Sequence, residues 1–320
     1  MEEKINYLAM SHKGIMPIRV LQNNLINEFE GMNADFLDLS RGVINNEGAD
    51  PAIGYVAEEE KVKSPYVLFN KINLNEAFLS YIWSNCYSLL VLYREVVVKK
   101  SYNEFHGVAE KVTDPVLAGN AYRLWEYAMS LIVSYTPWDT TLPNPEVVEA
   151  SQFDLTSRVN SLYLKAMTFV LAHEFAHIEL GHAESTLDNE KAADQRAIDL
   201  VMQGITPANR ETKVFGVLMG LCCLLFLSAS TTSANYPDMD DRIDAILQGT
   251  APDEANGMWG IAILAYKLWD QLYNVGLTWE ENLGSPKDLY YNIKEQIKRR
   301  SRSPSYLLEV RGRRQAIHSE

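Results

Sequence analysis

The chain is 320 residues long, 47% hydrophobic and 22% charged, with a formal charge of −13 at pH 7. Such a composition belongs to a folded protein with a sizeable core, in one large domain or two closely packed ones, and the acidic balance argues against general nucleic-acid binding. Three cysteines (Cys86, Cys222 and Cys223) form no even framework and read as reduced, buried thiols of a cytoplasmic protein, while Met1-Glu2-Glu3-Lys4 opens no signal peptide.

Residues 1–72 form a mixed α/β N-terminal region. Ile53-Gly54-Tyr55-Val56 and Tyr66-Val67-Leu68-Phe69 read as two strands flanking the charged turn 58–63. Residues 73–150 are a helical region ending in a Pro-rich loop. Its first helix, from Asn75 to about Lys100, places Phe78, Ile82, Cys86, Leu89, Leu90 and Tyr93 on one face. A second runs from about Pro115 to Tyr135 and holds Tyr122, Leu124, Trp125 and Met129. The aromatic residues read as core rather than cleft lining. His106 has no partner at ligand spacing and is structural or surface. Pro137, Pro143 and Pro145 make 136–149 a linker or a loop crossing a cleft.

Residues 151–297 hold the chemistry. A long helix begins near Leu155, with Asp154 or Thr156 as its cap, and carries His173-Glu174-Phe175-Ala176-His177 towards an end at Gly181. Positions i and i+4 share one helix face, so His173 and His177 present two imidazoles to one metal ion. Glu174 projects to the edge of that site, where it takes a proton from the attacking water. This is the H-E-x-x-H arrangement of zinc hydrolases. Glu190, on a second helix running to about Gly204, completes a His, His, Glu ligand set for Zn²⁺. Asp194, one turn further on, is placed to accept the outer N–H of a ligating histidine. His182, five residues past His177, is rotated off the ligand face and reads as a supporting or structural group.

The uncharged stretch 214–229 is too short for an ordinary membrane span and reads as a buried core helix. A turn at Tyr236-Pro237 then opens a short helix containing Arg242 and Ile243, and an amphipathic helix follows from about Met258 to Tyr273. Residues 298–320 form a basic C-terminal tail with Lys298, Arg299, Arg300, Arg302, Arg311, Arg313 and Arg314. It reads as solvated, with docking to an acidic partner, RNA or anionic lipid as the alternative.

His173-Glu-Phe-Ala-His-Ile-Glu-Leu-Gly-His182, Glu190-Lys-Ala-Ala-Asp194 and Tyr236-Pro237 with Arg242-Ile243 resemble the gluzincin metallopeptidases of the HtpX and CAAX-protease type. For a chain of this length, the likeness extends to the bacterial phage-exclusion peptidases related to Lit. Residues 173–245 carry the resemblance. It implies a mainly α (α+β), zincin-like helical peptidase domain and a zinc-dependent endopeptidase acting in phage defence, with elongation factor Tu as a candidate substrate. Tyr236 stands where the membrane families have His, so Arg242 and Tyr236 are the candidates for transition-state stabilisation. Two rival readings are a zincin-like binding or sensor module with a structural metal and a membrane-associated quality-control protease. Glu174 argues against the first, because a structural metal has no use for a free carboxylate beside its ligands.

Overall fold

The computed structural model describes residues 14–44, 53–57, 59–69, 71–98, 114–146, 153–233, 236–250, 253, 256–280 and 284–301. Residues 1–4, His106 and the tail arginines Arg302, Arg311, Arg313 and Arg314 lie outside them, as does the side chain of Asp154. Among the described residues the chain forms ten helices and one three-stranded sheet, a mainly α fold with a small β region. In chain order they are α1 (Gln22–Glu30), α2 (Phe36–Ile44), β1 (Ile53–Val56), β2 (Tyr66–Leu68), β3 (Lys71–Asn75), α3 (Glu76–Leu92) and α4 (Pro115–Val133). Then follow α5 (Phe153–Glu179), α6 (Leu187–Gln203), α7 (Arg210–Leu225), α8 (Met239–Thr250), α9 (Gly257–Tyr273) and α10 (Pro286–Ser301).

Helix α3 is the centre of the packing. Asn75 caps it, its Oδ1 accepting from Phe78 N at 3.1 Å. The sequence pattern pointed to one apolar face, but every residue of α3 except Leu90 is buried. Helices α4, α5, α7 and α9 all pack on it, so even Ser80, Ser84 and Asn85 lie inside. Asn85 Nδ2 and Ser88 Oγ donate back to carbonyls one turn earlier, which gives these two buried donors partners inside the helix.

The two expected strands exist but do not pair with each other. Sheet order is β1-β3-β2, with β3 parallel to β1 and antiparallel to β2. The central strand, Lys-Ile-Asn-Leu-Asn, alternates as a strand should and buries Ile72 and Leu74, yet it is short and its two asparagines disfavour strands. That combination hid it in the sequence.

Helix α5 begins at Phe153, two residues before the expected start, so Thr156 sits within its first turns rather than capping it. Its back is fixed by close contacts. Phe175 packs edge-on against Phe36 at 5.0 Å between ring centres, and Phe36 against Phe29 at 4.9 Å, which ties the motif helix to α1 and α2. Helix α7 approaches α5 through Gly216 and Gly220. A Cβ at Gly216 would lie 2.3 Å from Lys165 Cβ, so no larger residue fits without separating the two helices.

The buried stretch expected at 214–229 is helical only to Leu225. Beyond that point buried side chains take over as donors: Tyr273 Oη donates to Phe226 O at 2.6 Å and Trp269 Nε1 to Ser228 O at 2.8 Å. Among the described residues no helix is long and apolar enough to cross a membrane.

The described part of the connection after α4, residues 134–146, carries no regular element, in keeping with its prolines. Trp138 within it packs on Trp83 and Tyr127. Helix α10 was not legible in the sequence, and it includes Lys298, Arg299 and Arg300, which the sequence pattern had placed in the basic tail. Lys298 pairs with Asp241 at 3.0 Å, and Arg300 donates to the Val275 and Gly276 carbonyls. Residues from Met16 to Ile297 join one hydrophobic core.

Candidate metal centre and active-site cleft

One helical turn separates His173 from His177 on α5, and their Nε2 atoms stand 3.1 Å apart. Helix α6 lies against α5 through the buried Ala193 and Ala197, whose small side chains allow close approach. A two-pronged pair reinforces the contact: Arg196 donates from Nε and Nη2 to the two Glu179 oxygens, each at 2.7 Å. This docking brings Glu190 Oε2 to 3.2 Å from His173 Nε2 and 3.5 Å from His177 Nε2.

These three atoms belong to the one group of potential metal-binding side chains found among the described residues. Ligands about 2.0–2.1 Å from a tetrahedral ion lie roughly 3.3 Å from one another, which is the spacing seen here. Glu190 is buried and its Oε2 receives no aligned hydrogen bond, whereas its Oε1 accepts from Ser185 Oγ at 2.7 Å. A buried carboxylate oxygen left open beside two imidazoles is costly without a cation. The donor set therefore fits a metal ion, and two imidazoles with one carboxylate suit zinc.

A chain of contacts supports His173 from behind. Asp194 Oδ1 lies 2.9 Å from His173 Nδ1 and accepts from Arg242 Nη2 at 2.6 Å. Asp194, one turn after Glu190 on α6, thus lies between the His173 ring and the Arg242 guanidinium. Burial opposes ionisation of Asp194, but His173 and Arg242 hold its carboxyl below the usual range. Burial pulls the His173 imidazole down, yet Asp194 and Glu190 more than offset it and raise it to about 9. Two carboxylates thus draw positive charge to this point. His177 is held below its ordinary value by burial and by its neighbour His173, which favours the neutral ring that ligation requires.

Glu174 lines the same cleft, and burial pushes its carboxyl up to about 7, the range in which a general base works best near neutrality. The cleft holds about 740 Å³. Tyr66 and Val67 of β2 form part of one wall, and the segment after α7, including Ser230 and Thr232, forms another. Tyr236 and Arg242 also line it, so the two candidates for transition-state stabilisation both reach the cleft. Arg242 is already engaged by Asp194, whose same oxygen stands 2.9 Å from His173 Nδ1.

Two contributors escaped the sequence pattern. Ser185 donates to Glu190, and its only sequence signal is a hydroxyl five residues before the carboxylate, just ahead of the helix start. The strand β2 reaches the cleft although nothing in residues 1–72 marks a functional role.

A sequence profile of peptidase U49 matches residues 72–262, which takes in α3, the motif helix, Glu190 and Arg242. The chain belongs to the peptidase U49 family. It is therefore a hydrolase of peptide bonds, and the U49 match spans every candidate site residue. No curated protein and no solved structure matches the chain.

Proposed function

We propose that this U49 peptidase is a zinc-dependent endopeptidase whose metal is held by His173, His177 and Glu190. The observation that carries the reading is the convergence of two imidazole nitrogens and an unsatisfied buried carboxylate oxygen at tetrahedral-ligand spacing, with Glu174 beside them in a cleft. Zinc bound there would polarise the scissile carbonyl and lower the pKa of water. The chain's own residues do the rest. Glu174 takes the proton of the attacking water and passes it to the leaving amine, and Asp194 holds the His173 ring by its Nδ1–H. β2 is an edge strand along the cleft, the kind of element to which an extended peptide backbone adds as a further strand.

The proposed setting is the bacterial cytoplasm and the proposed role is phage defence, with a translation factor such as elongation factor Tu as substrate. This part rests on the resemblance of residues 173–182, 190–194 and 236–243 to the phage-exclusion peptidases. Incubating the enzyme with purified elongation factor Tu, and with lysate of phage-infected cells, tests it by the appearance of a discrete fragment.

Metal content decides the central reading. Wild type purified without added metal should carry about one zinc per chain, and His173→Ala and Glu190→Ala should lose it. Glu174→Gln should keep the zinc and lose ~10²–10⁴-fold in turnover. A wild-type chain that takes up no zinc on reconstitution would refute the metal site, and undiminished turnover by Glu174→Gln would refute the role of that carboxylate.

A further inference from the structure

His182 lies five residues beyond His177, a spacing that on a continuing helix would turn it away from the ligand face. The helix does not continue. Gly181 adopts φ +67°, and the turn it makes closes with two backbone bonds: His182 N donates to His177 O at 2.9 Å and Gly181 N to Ile178 O at 3.2 Å. This is the Schellman ending of a helix, in which a left-handed residue folds the chain back and sets the following residue against the last turn. That following residue is usually apolar and makes an apolar contact. Here both partners are histidines, with ring centres 5.1 Å apart and Nδ1 atoms 3.0 Å apart.

We infer that His182 is a positioning residue that fixes the ring orientation and tautomer of His177. The inference rests on the metal-peptidase reading. A histidine that ligates through Nε2 carries its proton on Nδ1 and needs an acceptor there. For His173 the acceptor is Asp194. For His177 the group at that position is the Nδ1 of His182, which accepts the proton while its own remains on Nε2. The two candidate ligands are thus held from behind by unlike groups, a carboxylate for one and an imidazole for the other. The helix-ending glycine is what brings the second into place.

The experiment uses the full-length protein and zinc alone, with affinity measured by competition against a chromophoric chelator. The Co²⁺-loaded protein supplies a second readout in its visible absorption. Three variants separate the explanations. His182→Ala removes the acceptor, His182→Phe removes it but keeps the ring's bulk, and His182→Asn keeps an oxygen acceptor near the position of Nδ1. Ala and Phe should weaken zinc binding ~10–100-fold and alter the Co²⁺ spectrum, while Asn should recover most of both. Equal affinity for Phe and wild type, or an Asn variant as weak as Ala, would overturn the role of His182 and leave the metal reading intact. Failure of wild type itself to bind zinc would overturn both.

Discussion

At the scale of single residues, the site is a set of groups each of which needs a neighbour. Glu190 has Ser185 on one oxygen, while its other oxygen faces the two imidazole nitrogens of His173 and His177. His173 needs Asp194, and Asp194 in turn is held by Arg242. Asp194→Asn keeps the size and removes the charge that favours a well-oriented, basic imidazole. It should lower zinc affinity ~10–100-fold without unfolding the chain. Isothermal titration with zinc, beside a circular dichroism spectrum, reads both. The i, i+4 spacing made His173 and His177 legible in the sequence. Glu190 and Asp194 were legible because one further helix had to supply what the first lacked. Ser185 was not, because a serine at a helix start has an ordinary capping explanation that needs no metal.

At the scale of elements, helix ends do work that helix interiors cannot. Gly181 lies in the left-handed region, and a Cβ there would meet nothing within 4 Å. The cost of Gly181→Ala is therefore conformational alone, about 1 kcal/mol, and should appear as a lowered midpoint in urea unfolding. At the start of α3, Glu76 accepts from Met16 N at 2.8 Å although the side chain is buried. Burial raises its pKa against the pull of the Met16 and Ile15 amides and of Arg19. A carboxyl whose folded pKa exceeds its unfolded value destabilises the fold above the folded pKa, and that penalty fades as pH falls to the unfolded value. Glu76→Gln should therefore raise the unfolding midpoint at pH 7, with the gain vanishing in acid below the ordinary glutamate pKa. Thermal unfolding of both proteins across this range checks the sign.

At the scale of the whole molecule, the site is assembled from segments far apart in the chain. The motif helix α5 is braced by α1 and α2 through the Phe29, Phe36 and Phe175 rings, by α6 through Arg196 and Glu179, and by α7 through Gly216. An ion that joins α5 to α6 therefore stabilises the fold as a whole. On the proposed zinc reading, free zinc at ~100 times Kd would contribute about 2.7 kcal/mol. Adding a strong chelator should lower Tm in wild type and leave His173→Ala unmoved, as differential scanning fluorimetry would show. An equal shift in both would place the stabilising ion elsewhere.

What the amino-acid sequence determined by itself was local: which residues share a helix face, where prolines break a helix, and which runs are too apolar to face water. The His-Glu-x-x-His pair, Glu190 and Asp194, the helical character and the break after α4 all follow from such short-range rules. The tertiary structure alone decided the pairings. It placed β3 between β1 and β2, buried α3 on every side and set β2 beside the cleft. It also turned His182 back onto His177. Each of these depends on which distant surface an element meets, and a one-dimensional pattern records only that a surface is apolar or polar, not what will cover it.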